Sequence, residues 1–185
     1  MEKFVEYYNS EINRYGGIEK YVLGKAVEKR LLINRILENS KSGGRILEAG
    51  CGSSVNSIFL AQKGLKVFCV DNDRKIIKFA KSNAEYFPER PFFINKDIRN
   101  LRYNKDYFDV SFNHGVLEHF GDEEIISMIN RLLSFSKKII FSVPSDFFRP
   151  KDAINGDERF MSKEHWEKLI SLSNGSLEEI FGLQV

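Results

Sequence analysis

Residues Ile46 to Ser54 read ILEAGCGSS: an apolar strand runs into Gly50 and Gly52 and then into a serine pair able to cap a helix. A second apolar run, Val67 to Asp71, ends in a carboxylate 21 residues after Gly50 (71 minus 50). Glycine has no Cβ, so a turn built on it lets the backbone approach a bound group closely and adopts φ values closed to other residues. A carboxylate at the end of the neighbouring strand can accept hydrogen bonds from both hydroxyls of a ribose laid across the strand ends. The pair predicts half of a nucleoside-binding α/β fold.

Two ligand classes use this geometry. A dinucleotide fingerprint requires G-x-G-x-x-G, and Val55 stands at the third glycine, which disfavours close helix packing and a pyrophosphate seat. Glu48, two residues before Gly50, would repel a pyrophosphate and suits a ligand carrying an ammonium group. S-adenosylmethionine carries one, plus a sulfonium.

At 185 residues, 42% apolar and 13% aromatic, the chain is sized for one domain with a packed core. Residues 1–40 are expected to form an N-terminal helical cap and 41–185 the ligand-binding core. The 28 basic and 26 acidic residues nearly cancel, so nothing demands a nucleic-acid partner. No apolar run approaches the ~20 residues of a membrane helix, and the charged start MEKFVEYYNSEINRY lacks the apolar stretch of a signal peptide. A soluble, cytoplasmic protein is expected, its oligomeric state open, a dimer included. Cys51 and Cys69 have no metal spacing and read as reduced packing residues.

Along the chain, an amphipathic helix runs to about Tyr15 and breaks at Gly16-Gly17. Ile18, Val22, Ala26, Ile33 and Leu37 then recur at helical spacing, which predicts one longer helix. Strands follow at Arg45–Ala49, Lys66–Asp71, Phe92–Asn95, Tyr107–Asn113 and Lys138–Val143, with helices between most of them. Ser53 or Ser54, Asn72 or Asp73, and Ser162 are the expected helix caps. The tail Ser176–Val185 reads as one more strand. Apolar strands spaced by helices predict an α/β fold, a doubly wound and mostly parallel Rossmann-like sheet that binds ligands at its carboxyl ends.

In that order, LEAGCG, VFCVDND, KDI and FDVSFNHGVLEHF make the segment from about Arg45 to Pro144 resemble the class I S-adenosylmethionine-dependent methyltransferases. The likeness is to the small-molecule type, 11/12-like, with a LEH signature after the fourth strand. It implies S-adenosylmethionine as cofactor, with Glu48, Gly50, Cys51 and Gly52 along its methionine portion. Asp71 would hold the ribose hydroxyls with Asn72 beside the adenine, while Asp97 and the Ile98 amide would meet the adenine edge. Asn113 and His114 would flank the methionine amine. His114, Glu118 and His119, with His165 further along, are the candidate catalytic bases for an acceptor that must lose a proton. Glu118 and His119 also read as residues that structure the turn, and Asp71 and Asp97 as caps.

After the fifth strand, Phe147, Phe148, Arg149, Arg159 and Phe160 are the candidate acceptor-side residues, or else part of a surface loop. Tyr7, Tyr8 and Tyr15 read as a lid or as core. No metal site is predicted; convergence of His114, Glu118 and His119 would lack a further ligand. Two departures from the family pattern stand out. Asn113-His-Gly replaces the Pro-Pro-aromatic sequence of base-amino methyltransferases, and about ten residues remain after Gly175 where two further strands are usual. The C-terminal edge of the sheet is therefore expected to be shortened. Competing readings are an NAD(P)-binding oxidoreductase and a non-catalytic S-adenosylmethionine-binding or assembly protein.

Overall fold

In a computed structural model, described for residues 2–147 and 156–182, the apolar strands assemble into a five-stranded sheet. The strands are β1 (Arg45–Ala49), β2 (Lys66–Asp71), β3 (Phe92–Asn95), β4 (Phe108–His114) and β5 (Ser136–Ser142). Their order is β3-β2-β1-β4-β5, and every pairing is parallel. β1 lies at the centre with the chain reversing its direction of growth on either side of it, so the carboxyl ends of β1, β2 and β4 share one edge.

The helices are α1 (Glu2–Tyr15), α2 (Ile18–Glu28), α3 (Arg30–Glu38), α4 (Val55–Gln62), α5 (Arg74–Ala84), α6 (Asp122–Leu133) and α7 (Lys163–Ser171). Leu32 and Ile36 of α3, Leu60 of α4 and Ala80 of α5 bury one sheet face against Ile46, Val67, Val110 and Phe112. On the other face Leu132 of α6 joins Leu47, Val70 and Phe108, and Trp166 and Leu169 of α7 pack with Ile125 and Ile129 of α6. Asp73 caps α5, its carboxylate accepting from the Lys75 amide at 2.7 Å. Ser162 caps α7 by accepting from the His165 amide at 3.3 Å. Three carboxylates occupy the first turn of α6, where they oppose the positive end of the helix dipole.

Three expectations are corrected. The helix expected from Ile18 to Leu37 is two, broken at Lys29 with φ −100° and ψ 24°. The break has a packing cause: α2 lays Ile18, Tyr21 and Val22 against Val55 and Ile58 of α4, while α3 lays its apolar face on the sheet. Neither Ser53 nor Ser54 caps α4 through its side chain; Ser54 holds the capping position in a left-handed conformation with its hydroxyl turned toward the Ala80 carbonyl. Residues 176–182 of the tail form no strand. Glu178 and Glu179 are drawn instead to Lys138 and Arg35, and Phe181 packs onto the core. No described helix is long and apolar enough to cross a membrane.

Candidate active site at the carboxyl ends of the strands

The turn after β1 is tied to the neighbouring strand. The amides of Gly50 and Cys51 both donate to the Val70 carbonyl, at 2.8 and 3.0 Å. Gly50 and Gly52 have φ of +78° and +50°, the left-handed region that favours glycine. A Cβ on Gly50 would lie 2.6 Å from a Val116 methyl, and one on Gly52 2.4 Å from the Tyr8 hydroxyl. Backbone therefore meets side chains from α1 and from the loop after β4 at van der Waals distance. The Cys51 side chain turns into the core beside Cys69, whose contact and the surrounding burial push its thiol up. Only the backbone of Cys51 remains for the turn.

Asp71, at the tip of β2, accepts from the Asp73 amide at 3.0 Å and from the Gly52 amide at 3.4 Å. Burial pushes its carboxyl above the usual range despite these bonds. The glycine turn and the carboxylate thus form one unit. Tyr8 closes over it: burial raises the phenol, which feels Asp71, and its ring stacks on Phe79 of α5 with centroids 6.0 Å apart. Of the three tyrosines read as a lid, Tyr8 alone reaches the turn. Tyr7 is 38% exposed, and Tyr15 bonds Glu28 and packs edge-on against Tyr21.

Glu48 is 2% exposed and accepts from Asn56 at 3.0 Å and from the Ser57 hydroxyl, both on α4. Lys29, at the break between α2 and α3, is near enough for its charge to act on this carboxyl. Burial pushes the Glu48 carboxyl up and the Lys29 ammonium down, each opposed by the other's charge. Lys29 was not singled out by sequence reasoning. The signal was present, because Val22, Ala26, Lys29 and Ile33 fall on one helical stripe, and a lysine on an apolar stripe needs an internal partner.

At the end of β4, Asn113 is 1% exposed, and neither atom of its amide has a partner among the described residues. His114 Nδ1 and Glu118 Oε2 are likewise buried without one. Burial first, then the charges of Lys29 and Lys25, push the His114 imidazole down to about 3. The unfolded chain binds that proton near pH 6.5 and the folded chain excludes it to about pH 3, so protonation favours unfolding across this window. His114→Asn is expected to retain more of its neutral-pH stability than the parent as pH falls from 6.5 toward 3. Urea midpoints at pH 7 and 4.5 measure the difference.

The remaining sequence-derived residues divide. Asn72 is exposed next to Asp71. Asp97 caps the 3-10 turn Ile98–Asn100, and the Arg99 guanidinium against it, 2.7 Å at the closest, holds its carboxyl below the usual range. Its carboxylate is thus already engaged in an ion pair and a helix cap. Glu118 and His119 lie in a second 3-10 turn, Leu117–His119, with Glu118 buried and His119 Nδ1 2.9 Å from an Asp157 oxygen. Arg159 is engaged with the Phe120 carbonyl and Asp122, both at 2.6 Å, and His165 meets the same Asp122. These bonds fasten the segment after β5 onto the loop after β4. Phe147 is 91% exposed, Phe160 is partly buried, and Phe148 and Arg149 lie outside the described residues. Among the described residues, the groups close enough together to hold a metal are His119, Asp157 and Glu158, without His114. Sequence reasoning missed both carboxylates, since nothing local links them to His119.

Residues 46–138 match the model of a family described as a methyltransferase domain, about half the chain. The chain belongs to this methyltransferase domain family. The match spans β1 through the start of β5 and so contains the glycine turn, Asp71 and Asn113. The chain is also 29% identical over 120 residues to magnesium-protoporphyrin O-methyltransferase of Synechocystis, covering 63% of this chain and 49% of that protein. It therefore spans about half the length of this curated relative. Its fold superposes on the crystal structure of magnesium protoporphyrin IX methyltransferase from Synechocystis with bound SAM, at TM-score 0.70 and 21% identity over 89% of this chain and 75% of the other. An S-adenosylmethionine-dependent methyltransferase of Methanosarcina mazei gives TM-score 0.62 at 17% identity, over 74% of this chain and 81% of the other.

Proposed function

We propose that the chain binds S-adenosylmethionine across the carboxyl ends of β1, β2 and β4 and transfers its methyl group to an oxygen of a small molecule. The observation that carries this reading is the convergence there of a left-handed glycine turn, the Asp71 carboxylate and the Asn113 amide, which has no partner among the described residues. Buried polar atoms without partners are rare in folded proteins, and a zwitterionic methionine tail supplies both a donor and an acceptor to satisfy them. Val55 points into the packing between α2 and α4, which leaves no third glycine for a pyrophosphate and disfavours the nicotinamide alternative.

In this reading Asp71 accepts from the ribose hydroxyls and the turn amides face the methionine portion. Asn113 bonds the amine, and Lys29 supplies positive charge toward the carboxylate. Tyr8 and α1 cover the ribose and keep water out. The bound cofactor would supply a methyl on a sulfonium that loses its charge as the methyl leaves in line. Positioning and desolvation by the chain then provide much of the acceleration. His114, neutral down to about pH 3, is a weak proton acceptor and is assigned a packing role. Glu118 and His119 remain the groups able to meet the acceptor.

The Synechocystis relative is a magnesium-protoporphyrin O-methyltransferase, and this supports a small molecule with a methylatable oxygen as acceptor. Incubation with S-adenosylmethionine and a panel of carboxylate, hydroxyl and amine compounds is expected to release S-adenosylhomocysteine with at least one carboxylate or hydroxyl compound. Release with amines alone would overturn the oxygen assignment, and no release with any acceptor would favour a non-catalytic role.

A further inference from the structure

The first residues of β1, β2 and β3 form a surface at the opposite end of the sheet from the glycine turn. There the register sets Arg45 beside Lys66 and Phe68 beside Phe92. Lys66 and Phe68 are two apart on β2 and project from one face, the face that α6 covers further along through Leu132. Phe92 stacks on Phe68 with ring centroids 5.0 Å apart and 28° between planes, yet remains 55% exposed. Phe68 in turn meets Tyr107 edge-on at 6.1 Å, and the Arg45 guanidinium lies 4.4 Å from the centre of the Tyr107 ring. The aromatic stack is therefore closed on its inner side and open on its outer one.

The fold leaves this surface bare. Parallel sheets are ordinarily covered by a crossover helix on each face, but between β3 and β4 the chain makes the short 3-10 turn Ile98–Asn100. α5 packs on β3 from the other face, through Phe93. β3 is also an edge strand, hydrogen-bonded to β2 alone. The charge around the open stack is mainly positive. Lys66 is exposed, Arg45 donates to the Tyr107 carbonyl at 2.7 Å, and neither has a carboxylate partner among the described residues. The loop that carries Tyr103 and Tyr107 exposes Arg102 and Lys105 against one acid, Asp106.

A flat ring open to solvent beside uncompensated cations is complementary to a nucleobase with its phosphates on either side. We propose that this face binds single-stranded nucleic acid, a base extending the Phe92–Phe68 stack while neighbouring phosphates pair with Lys66 and Arg45. Two copies of the chain meeting through Phe92 would bring their cations together, which disfavours a self-interface. The nearly balanced charge of the whole chain supplies no long-range field, so the affinity should be modest and sensitive to salt. This face lies away from the strand ends assigned to S-adenosylmethionine and does not rest on the methyl-transfer reading.

Fluorescence anisotropy of a labelled oligouridylate of about eight nucleotides, with its duplex and inorganic polyphosphate as competitors, reads out the binding. Saturable binding is expected, displaced by unlabelled single strand and far less by duplex or polyphosphate. Phe92→Ala should weaken it about fivefold or more without changing its salt dependence. Lys66→Gln should instead lower the slope of log affinity against log salt by about 0.7. Thermal unfolding reports whether each variant is folded, and Lys66→Gln tests the site even where Phe92→Ala does not fold. The site is overturned by the absence of saturable binding at low salt, by binding that the folded variants retain unchanged, or by polyphosphate competing as well as the single strand. Self-association that Phe92→Ala abolishes, without oligonucleotide binding, would assign the face to a second copy and overturn it equally.

Discussion

Asp71→Ala is expected to weaken S-adenosylhomocysteine binding by about a hundredfold or more, close to 3 kcal/mol, with little change in the thermal midpoint. The two effects separate for a physical reason. In the free protein the carboxylate accepts from Gly52 and Asp73, yet burial still raises its proton affinity, so desolvation offsets those bonds and removing the group leaves stability nearly unchanged. In the complex, two ribose hydroxyls would lose their acceptor in a site that excludes water. Asp71→Asn, which keeps one acceptor oxygen, should fall between. Calorimetry on the three proteins measures the series, and equal affinities would remove Asp71 from the site.

Gly52→Val should abolish measurable S-adenosylhomocysteine binding and lower stability by about 1–2 kcal/mol, the ordinary cost of left-handed backbone for a residue with a Cβ. Its φ of +50° sets that strain, and the new Cβ would stand 2.4 Å from the Tyr8 hydroxyl. That atom is the end of a side chain on α1, so the helix can lift away and the fold should survive while the cover over the turn is lost. Pairing Gly52→Ala with Tyr8→Leu separates the terms: the clash disappears in the double variant and the backbone strain does not. Strictly additive stabilities in urea would show that Tyr8 does not press on the turn.

The parallel sheet was legible because buried parallel strands are written as apolar runs bounded by glycine, asparagine and aspartate, a local signal. β1, β2 and β3 occupy the residues expected of them, and β4 and β5 shift by one or two. Asp73 and Ser162 were readable as caps for the same reason: a cap acts within three residues of itself. What escaped depends on partners distant in sequence. Periodicity could not reveal that α2 and α3 serve different surfaces, nor that Glu178 and Glu179 would be drawn to Lys138 and Arg35 in place of strand pairing. The candidate site divides along the same line. The glycines and Asp71 were recognisable from spacing, whereas the charge of Lys29 on Glu48, Tyr8 over Gly52 and Asp157 beside His119 emerge only once α1, α2 and the segment after β5 are folded back onto the strand ends.

The central claim is that these strand ends hold S-adenosylmethionine, and titration calorimetry of the unmodified chain with S-adenosylhomocysteine tests it most directly. Saturable binding at one site per chain, lost in Gly52→Val, is the predicted result. No saturable heat from either S-adenosylhomocysteine or S-adenosylmethionine, with the protein folded, would contradict it.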